Sequence, residues 1–260
     1  MNTVRQEPVR RRDLWAFRLL LALALLGGWE YLAIQEGGLF LPRFTSTFVE
    51  LIRVLGTAEL WRAVWVSNVS VLIGLPVSLI VGIGLGFLLG RVRRIDHFFG
   101  YYLDLLMVVP MIAVVPIIIV ALGLGLQSRV AVVVLFTLPV VGMNARAAVR
   151  VIDAARIEMA RAFTATRLQV WTKVILPEAA GPVFTGIRLG LSRAISGMVV
   201  VELTLIPAGL GGLIVDQRAR FNAIGLFATT LVIVGEGILL VALLRRAERW
   251  THRRLTGVAA

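Results

Sequence analysis

The stretch VSVLIGLPVSLIVGIGLGFLLGR, residues 69–91, carries no charge until its last residue. An α-helix of about 20 apolar residues covers a hydrocarbon core of ~30 Å, so this segment is long enough to cross a bilayer. Outward from it, similar runs lie near 14–34, 102–122, 128–147, 183–203 and 221–244. With 58% of the residues hydrophobic and a mean hydropathy of +0.89, the chain has too little polar surface to cover a water-facing exterior. The expectation is an all-α polytopic membrane protein with about six transmembrane helices.

Composition narrows the function classes. A net charge of +12 in a soluble domain would point to nucleic acid, but here membrane topology is the simpler cause, and no nucleic-acid partner is expected. The absence of cysteine excludes disulfides, thiolate metal sites and a cysteine nucleophile. His97 and His252 both sit beside basic residues and read as juxtamembrane surface, so no metal site is expected.

The organisation follows from the apolar runs. Residues 1–13 read as a cytoplasmic tail and 14–34 as the first span. Arg11 and Arg12 before the apolar run resemble a secretory or twin-arginine signal, yet five further spans follow, and a retained helix is the better reading. Residues 35–68 read as an external segment whose Phe48, Leu51, Ile52 and Leu55 form one face of an amphipathic helix on the membrane surface. The core is 69–244, including a polar segment 148–180, and 245–260 is a second tail. Pro110 and Pro116 are expected to kink the third span. Lys and Arg concentrate in 5–12, 91–94, 146–173 and 245–254, against Arg43, Arg53, Arg62, Arg129, Arg218 and Arg220 on the other side. That asymmetry predicts that both termini face the cytoplasm.

Within the polar segment, IEMARAFTATRLQVWTKVILP at 157–177 is basic and amphipathic. Placed on one helix, Met159, Ala162, Phe163, Thr166, Val170 and Val174 make a mostly apolar face. Such a helix either rests on the bilayer surface or fits a groove on a cytoplasmic partner, and periodicity alone leaves both open.

The order of residues is more specific. Glu158, Ala160, Ala165, Ile175, Leu176 and Pro177 resemble the cytoplasmic EAA motif of ABC-importer permeases. Met159 replaces the second motif residue, and Thr164 stands where the family usually has Gly. LPRF at 41–44, GIGLGFLLGR at 82–91 and GPVFTGIRLGLSRAISGMVVVEL at 181–203 look like the nitrate, sulfonate and taurine branch, so the resemblance covers nearly the whole chain. It implies a type I importer bundle in the bacterial inner membrane, paired with a second permease copy around one pathway. A cytoplasmic ABC ATPase dimer would dock on it and a soluble binding protein would deliver a small anion. No cofactor is expected on this chain, with ATP and Mg held by the partner ATPase. Glu158, Met159, Ala160, Phe163, Thr164, Ala165, Leu176 and Pro177 would form the ATPase-coupling element, with Pro177 ending the coupling helix.

Charges inside spans are expensive. Arg188 is shallow enough to snorkel to the headgroups. Arg193 is deeper, and either pairs with Glu202 or Glu236 or attracts an anionic substrate. Glu202 reads as an outer-gate residue or a structural hydrogen-bonding group. Gly82, Gly84, Gly86 and Gly90 permit close helix approach, and GLGLQ at 123–127 and PAGLGGL at 207–213 read as external turns. No GxxxxGK[ST] phosphate loop is present, so ATP hydrolysis belongs to another chain. Permeases for other small metabolites, such as pyrimidine precursors, remain alternatives. So does an ATPase-independent channel or a membrane-embedded enzyme, although neither charge rings nor paired catalytic groups stand out.

Overall fold

The computed structural model describes the backbone of residues 11–38, 40–204 and 206–256 and the side chains of 14–38, 40–204 and 206–248. Most of the expected tail 1–13, the end of the tail 245–260 and the side chains of Arg249, His252, Arg253 and Arg254 lie outside the described residues. Every regular element among the described residues is helical: α1 (Arg11–Gln35), α2 (Phe44–Leu55), α3 (Ala58–Arg91), α4 (Arg93–Val108), α5 (Met111–Leu122), α6 (Leu126–Arg150), α7 (Ala154–Ala162), α8 (Arg167–Val170), α9 (Leu176–Thr204), α10 (Gly209–Ala219) and α11 (Ala223–Thr256). Five helical stretches are long and apolar enough to cross a membrane, and the bent pair α4–α5 raises the number to as many as six.

Three elements differ from the sequence reading. The helix of the second span begins at Ala58 instead of near residue 69, because the Thr57 side chain accepts a hydrogen bond from the backbone N–H of Leu60 and caps it. The third span is two helices meeting at 102°. Pro110 disfavours helical backbone at the residue before it, and Val109 is accordingly extended, with φ −60° and ψ 129°. Pro116 stays inside α5. The fifth span is longer than expected, with helix continuing from Arg167 to Thr204.

Helix α6 is the centre of the bundle, packed between α3 and α9. On α3, small residues recur about every fourth position, with Ser67, Ser70, Gly74, Ser78, Gly82 and Gly86 all buried. A Cβ built on Gly86 would lie 2.6 Å from Ala145 Cβ and 2.9 Å from the Arg146 nitrogen, and one on Gly90 would lie 2.8 Å from the Arg146 oxygen. Helix α9 does the same from the other side, where a Cβ on Gly190 would meet Val141 at 2.6 Å and one on Gly197 would meet Phe136 at 2.9 Å. Small residues let the backbones approach until van der Waals contact is continuous, which is how helices associate where lipid supplies no hydrophobic drive. Gly84 is the exception among the glycines singled out from sequence, with nothing within 4 Å of its added Cβ.

The contrast is testable. Gly86→Ala should destabilise the bundle by about 1–3 kcal/mol through overpacking, whereas Gly84→Ala should leave it unchanged. Thermal unfolding of detergent-solubilised protein, followed by the loss of the monodisperse peak, separates the two. Equal midpoints would remove the close-approach account.

Candidate functional site

The polar segment is not one helix. Helix α7 ends at Ala162, and Thr164 takes φ +57°, the left-handed region. The Ala165 N–H bonds to the Ala160 carbonyl at 3.1 Å and the Thr164 N–H to the Arg161 carbonyl at 2.9 Å, which together are the two bonds of a Schellman termination. The position that the motif usually gives to Gly is therefore a left-handed corner, and here a β-branched residue occupies it. The expected continuous apolar face from Met159 to Val174 is broken at this corner.

Beyond it, Thr166 and Gln169 form a capping box. The Thr166 hydroxyl accepts from the Gln169 N–H at 3.3 Å, and the Gln169 side chain accepts from the Thr166 N–H at 2.8 Å. This starts α8, which runs through a π turn, Trp171–Ile175, directly into α9. Pro177 does not end a helix. It lacks an N–H, and in regular α geometry its ring would press on the Lys173 carbonyl. The preceding turn instead widens, with the Leu176 N–H bonding to the Trp171 carbonyl. Ile175 inside that turn is fully buried, while Leu176 is 44% exposed.

Helix α7 therefore projects as a separate unit. None of its residues is fully buried, and Glu158 is exposed and makes no ion pair among the described residues. Met159 and Phe163 are 58% and 79% exposed. Asp153 caps its start by accepting from the Ala155 N–H at 2.9 Å, and Arg156 ties it to α9 by donating to Glu178 at 2.7 Å. That hydrogen bond holds the Arg156 pKa above its ordinary value. Near the base of α7, Arg146 reaches Asp96 at 2.5 Å and Asp104 at 2.8 Å, and Arg150 takes the other oxygen of Asp96. This joins the end of α6 to α4. Sequence reading counted Arg146 and Arg150 only as loop charge; spacing along one helix gives no sign of a partner on another.

The second polar cluster centres on Glu202, which is fully buried. One carboxylate oxygen accepts from the Ser67 hydroxyl at 2.7 Å and from the Gly211 N–H at 3.1 Å, and Arg129 approaches the other at 3.5 Å. Ser67 in turn accepts from the Leu210 N–H at 2.8 Å, and Arg129 donates to the Val66 carbonyl at 2.9 Å. Gly209, with φ +59°, leaves room for this carboxylate, since an added Cβ would lie 2.7 Å from it. So 209–213 is the start of α10 rather than an external turn, and Arg129 is a partner of Glu202 rather than loop charge. The pairing anticipated for Arg193 does not form: Glu202 takes Arg129, and Glu236 accepts from Asn68. Arg188 reaches Glu248 of α11 at 3.8 Å instead of simply snorkelling. Arg193 is exposed, has no ion pair or side-chain hydrogen bond among the described residues, and lines a cavity of about 260 Å³ at the α4–α5 break, with Met107, Met111 and Pro139.

A bundle of membrane-spanning helices with a short projecting helix and a charged residue beside a cavity between helices fits a membrane transport subunit. The chain belongs to the family of binding-protein-dependent transport system inner membrane components, which matches residues 78–257. It is 29% identical over 244 residues to the taurine transport system permease protein TauC of Escherichia coli (strain K12), covering 91% of this chain and 86% of that one. It is also 29% identical over 254 residues to the putative aliphatic sulfonates transport permease protein SsuC of Bacillus subtilis (strain 168), covering 95% and 91%. In fold it is similar to a chain of the MetNI methionine ABC transporter in an inward-facing conformation, with a TM-score of 0.63, 21% identity, and coverage of 76% of this chain and 96% of that one. The chain is an ABC importer permease subunit of the inner membrane, a transport subunit.

Two outcomes follow from the geometry. Glu202→Ala leaves Arg129 without its carboxylate in a buried site and should destabilise the bundle by about 3–5 kcal/mol. Arg129→Met combined with Glu202→Leu should recover a large part of that loss in the same thermal assay. Thr164→Gly should stabilise the corner by about 1 kcal/mol, because Gly enters left-handed backbone without a steric penalty. Hydrogen exchange of the α7–α8 amides should slow accordingly.

Proposed function

We propose that the chain is the permease of an ATP-driven importer for a small sulfonate-type anion, working as a pair of identical copies, with the α7 end of the bundle facing the cytoplasm. The observation that carries this is helix α7: none of its residues is fully buried, and it presents Met159 and Phe163 to solvent. A short helix that leaves its apolar anchors uncovered by its own chain suits a groove on another protein. An ABC ATPase pair, holding ATP and Mg, is that protein, with Glu158, Met159, Ala160 and Phe163 at the contact. Thr164, Ala165, Leu176 and Pro177 fix the corner and the widened turn behind it. A soluble binding protein supplies substrate at the opposite end, where α10 begins.

The taurine and sulfonate relatives support an organosulfonate substrate, and Arg193, beside a cavity between the spans, has matching chemistry. A charged side chain within a membrane-spanning helix is costly in lipid. An exposed Arg193 without a partner therefore belongs on a face covered by a water-filled pathway and a second copy. Glu202, occupied by Arg129, Ser67 and the start of α10, holds that end of the bundle together rather than contacting substrate.

Co-expression with the neighbouring ATPase and binding protein, followed by reconstitution into liposomes, tests the assignment. ATP-dependent taurine uptake is expected. Met159→Ala with Phe163→Ala should reduce copurifying ATPase by at least about tenfold, as loss of anchor residues at an interface does. Arg193→Gln should keep the ATPase bound while depressing uptake. A double variant that retains full ATPase would sink the coupling role of α7.

A further inference from the structure

Three arginines from three helices line one small cavity beside the α7–α8 corner. Arg91 ends α3, Arg161 lies in the last turn of α7 and Arg167 opens α8. With Ala165, Val170 and Trp171 they enclose about 260 Å³. No Asp or Glu lines this cavity, and none of the three side chains makes an ion pair or hydrogen bond among the described residues. Of the nearby carboxylates, Asp153 caps α7 and Glu178 holds Arg156, while Glu158, one turn before Arg161 on α7, does not line the cavity. The adjoining cavity, which Arg91 also lines, differs in containing Asp96, already paired with Arg146 and Arg150.

Three guanidinium groups around one space repel one another, and Arg167 places its positive charge at a helix N-terminus, where the macrodipole disfavours it. An anion in the cavity turns both features favourable. Guanidinium groups match the oxygens of a tetrahedral phosphate through paired N–H donors. Depth identifies the setting. From Ala63 through Gly90, α3 carries no charge, so Arg91 is the first one beyond the apolar run. Trp171 in the cavity wall stacks near Phe87, one turn earlier on α3, with ring centroids 6.1 Å apart. An aromatic pair followed by cations marks the boundary between hydrocarbon and headgroups, and basic pockets between helices at that boundary suit anionic headgroups.

We propose that Arg91, Arg161 and Arg167 form a phosphate-binding pocket at the membrane surface, filled by the phosphate of an anionic phospholipid or by free inorganic phosphate. Occupancy would tie the end of α3 to both sides of the Thr164 corner and so fix the angle at which α7 projects.

The test uses the full chain, purified in detergent and washed free of lipid. It is titrated separately with phosphatidylglycerol and with inorganic phosphate, and bound ligand is read by native mass spectrometry. Arg91→Gln, Arg161→Gln and Arg167→Gln together should weaken binding on the order of 100-fold, given the attraction contributed by each basic side chain at an anionic surface. Phosphatidylglycerol retained against millimolar phosphate assigns the pocket to lipid; phosphate binding lost in the variant with lipid binding unchanged assigns it to the free ion. If the glutamine variant is not monodisperse, the corresponding triple lysine variant carries the test. Lysine keeps the charge but lacks the paired donors, and a several-fold weakening is expected. Affinities for both ligands unchanged by either variant overturn the proposal. It is likewise overturned if ATPase copurification is all that is lost, which would make the arginines a contact for an acidic protein surface.

Discussion

Helix α6 is reached from two sides by backbones that carry almost no side chain at the point of contact. Where a hydrocarbon solvent gives apolar side chains nothing to escape from, attraction between helices comes from dispersion over short distances. The depth of each contact is then set by what is missing at the interface. Serine and glycine on α3 and glycine on α9 bring both helices against the valines, threonine and phenylalanine of α6. The other elements hang on this three-helix layer. Helices α4 and α5 reach it through the break at Pro110, α10 through Glu202, and α7 through the Arg156–Glu178 ion pair.

Polar groups in this bundle are concentrated where helices of different direction must be joined. Glu202 gathers a hydroxyl from α3, a guanidinium from the first turn of α6 and a backbone N–H of α10. Arg146 does the corresponding work between α6 and α4. Glu202 and Arg146 are buried, although Asp104 and Arg150 at the second cluster are exposed, so each buried charge depends on its partners: removing them leaves charge that the low-dielectric surroundings cannot accommodate. They hold geometry through mutual necessity, a different principle from the close packing of the central layer.

The apolar runs were legible from residues 69–91 outward because a twenty-residue uncharged stretch has few other uses. The glycines that permit close approach were legible too, except Gly84, since a helix shows its spacing but not the face its neighbour takes. Pro110 announced a kink and delivered a 102° break; the size of a bend depends on what packs on either side. Pairings across helices were hidden. Arg129 and Glu202 lie far apart in sequence, and a carboxylate partner, Glu202 or Glu236, was sought instead for Arg193 because it lies deeper in its span. The Thr164 corner was obscured for a different reason: amphipathic spacing continues through 163–166, while the backbone reverses its local hand at one residue.

That reversal bears on how the polar segment could act mechanically. A continuous helix through 157–177 would be a single rod bending as one body with α9. The Schellman termination and the capping box at Thr166 instead make two stiff pieces with a defined corner between them. Two further ties set the angle: Arg156 to Glu178 joins the first piece to α9, and buried Ile175 anchors the second inside the bundle. A displacement of α7 would thus pass to α9 through the corner and the ion pair together. The π turn before Pro177 is where regular α-helical hydrogen bonding is interrupted between α8 and α9. A corner that holds its angle transmits a displacement, whereas one that relaxes absorbs it.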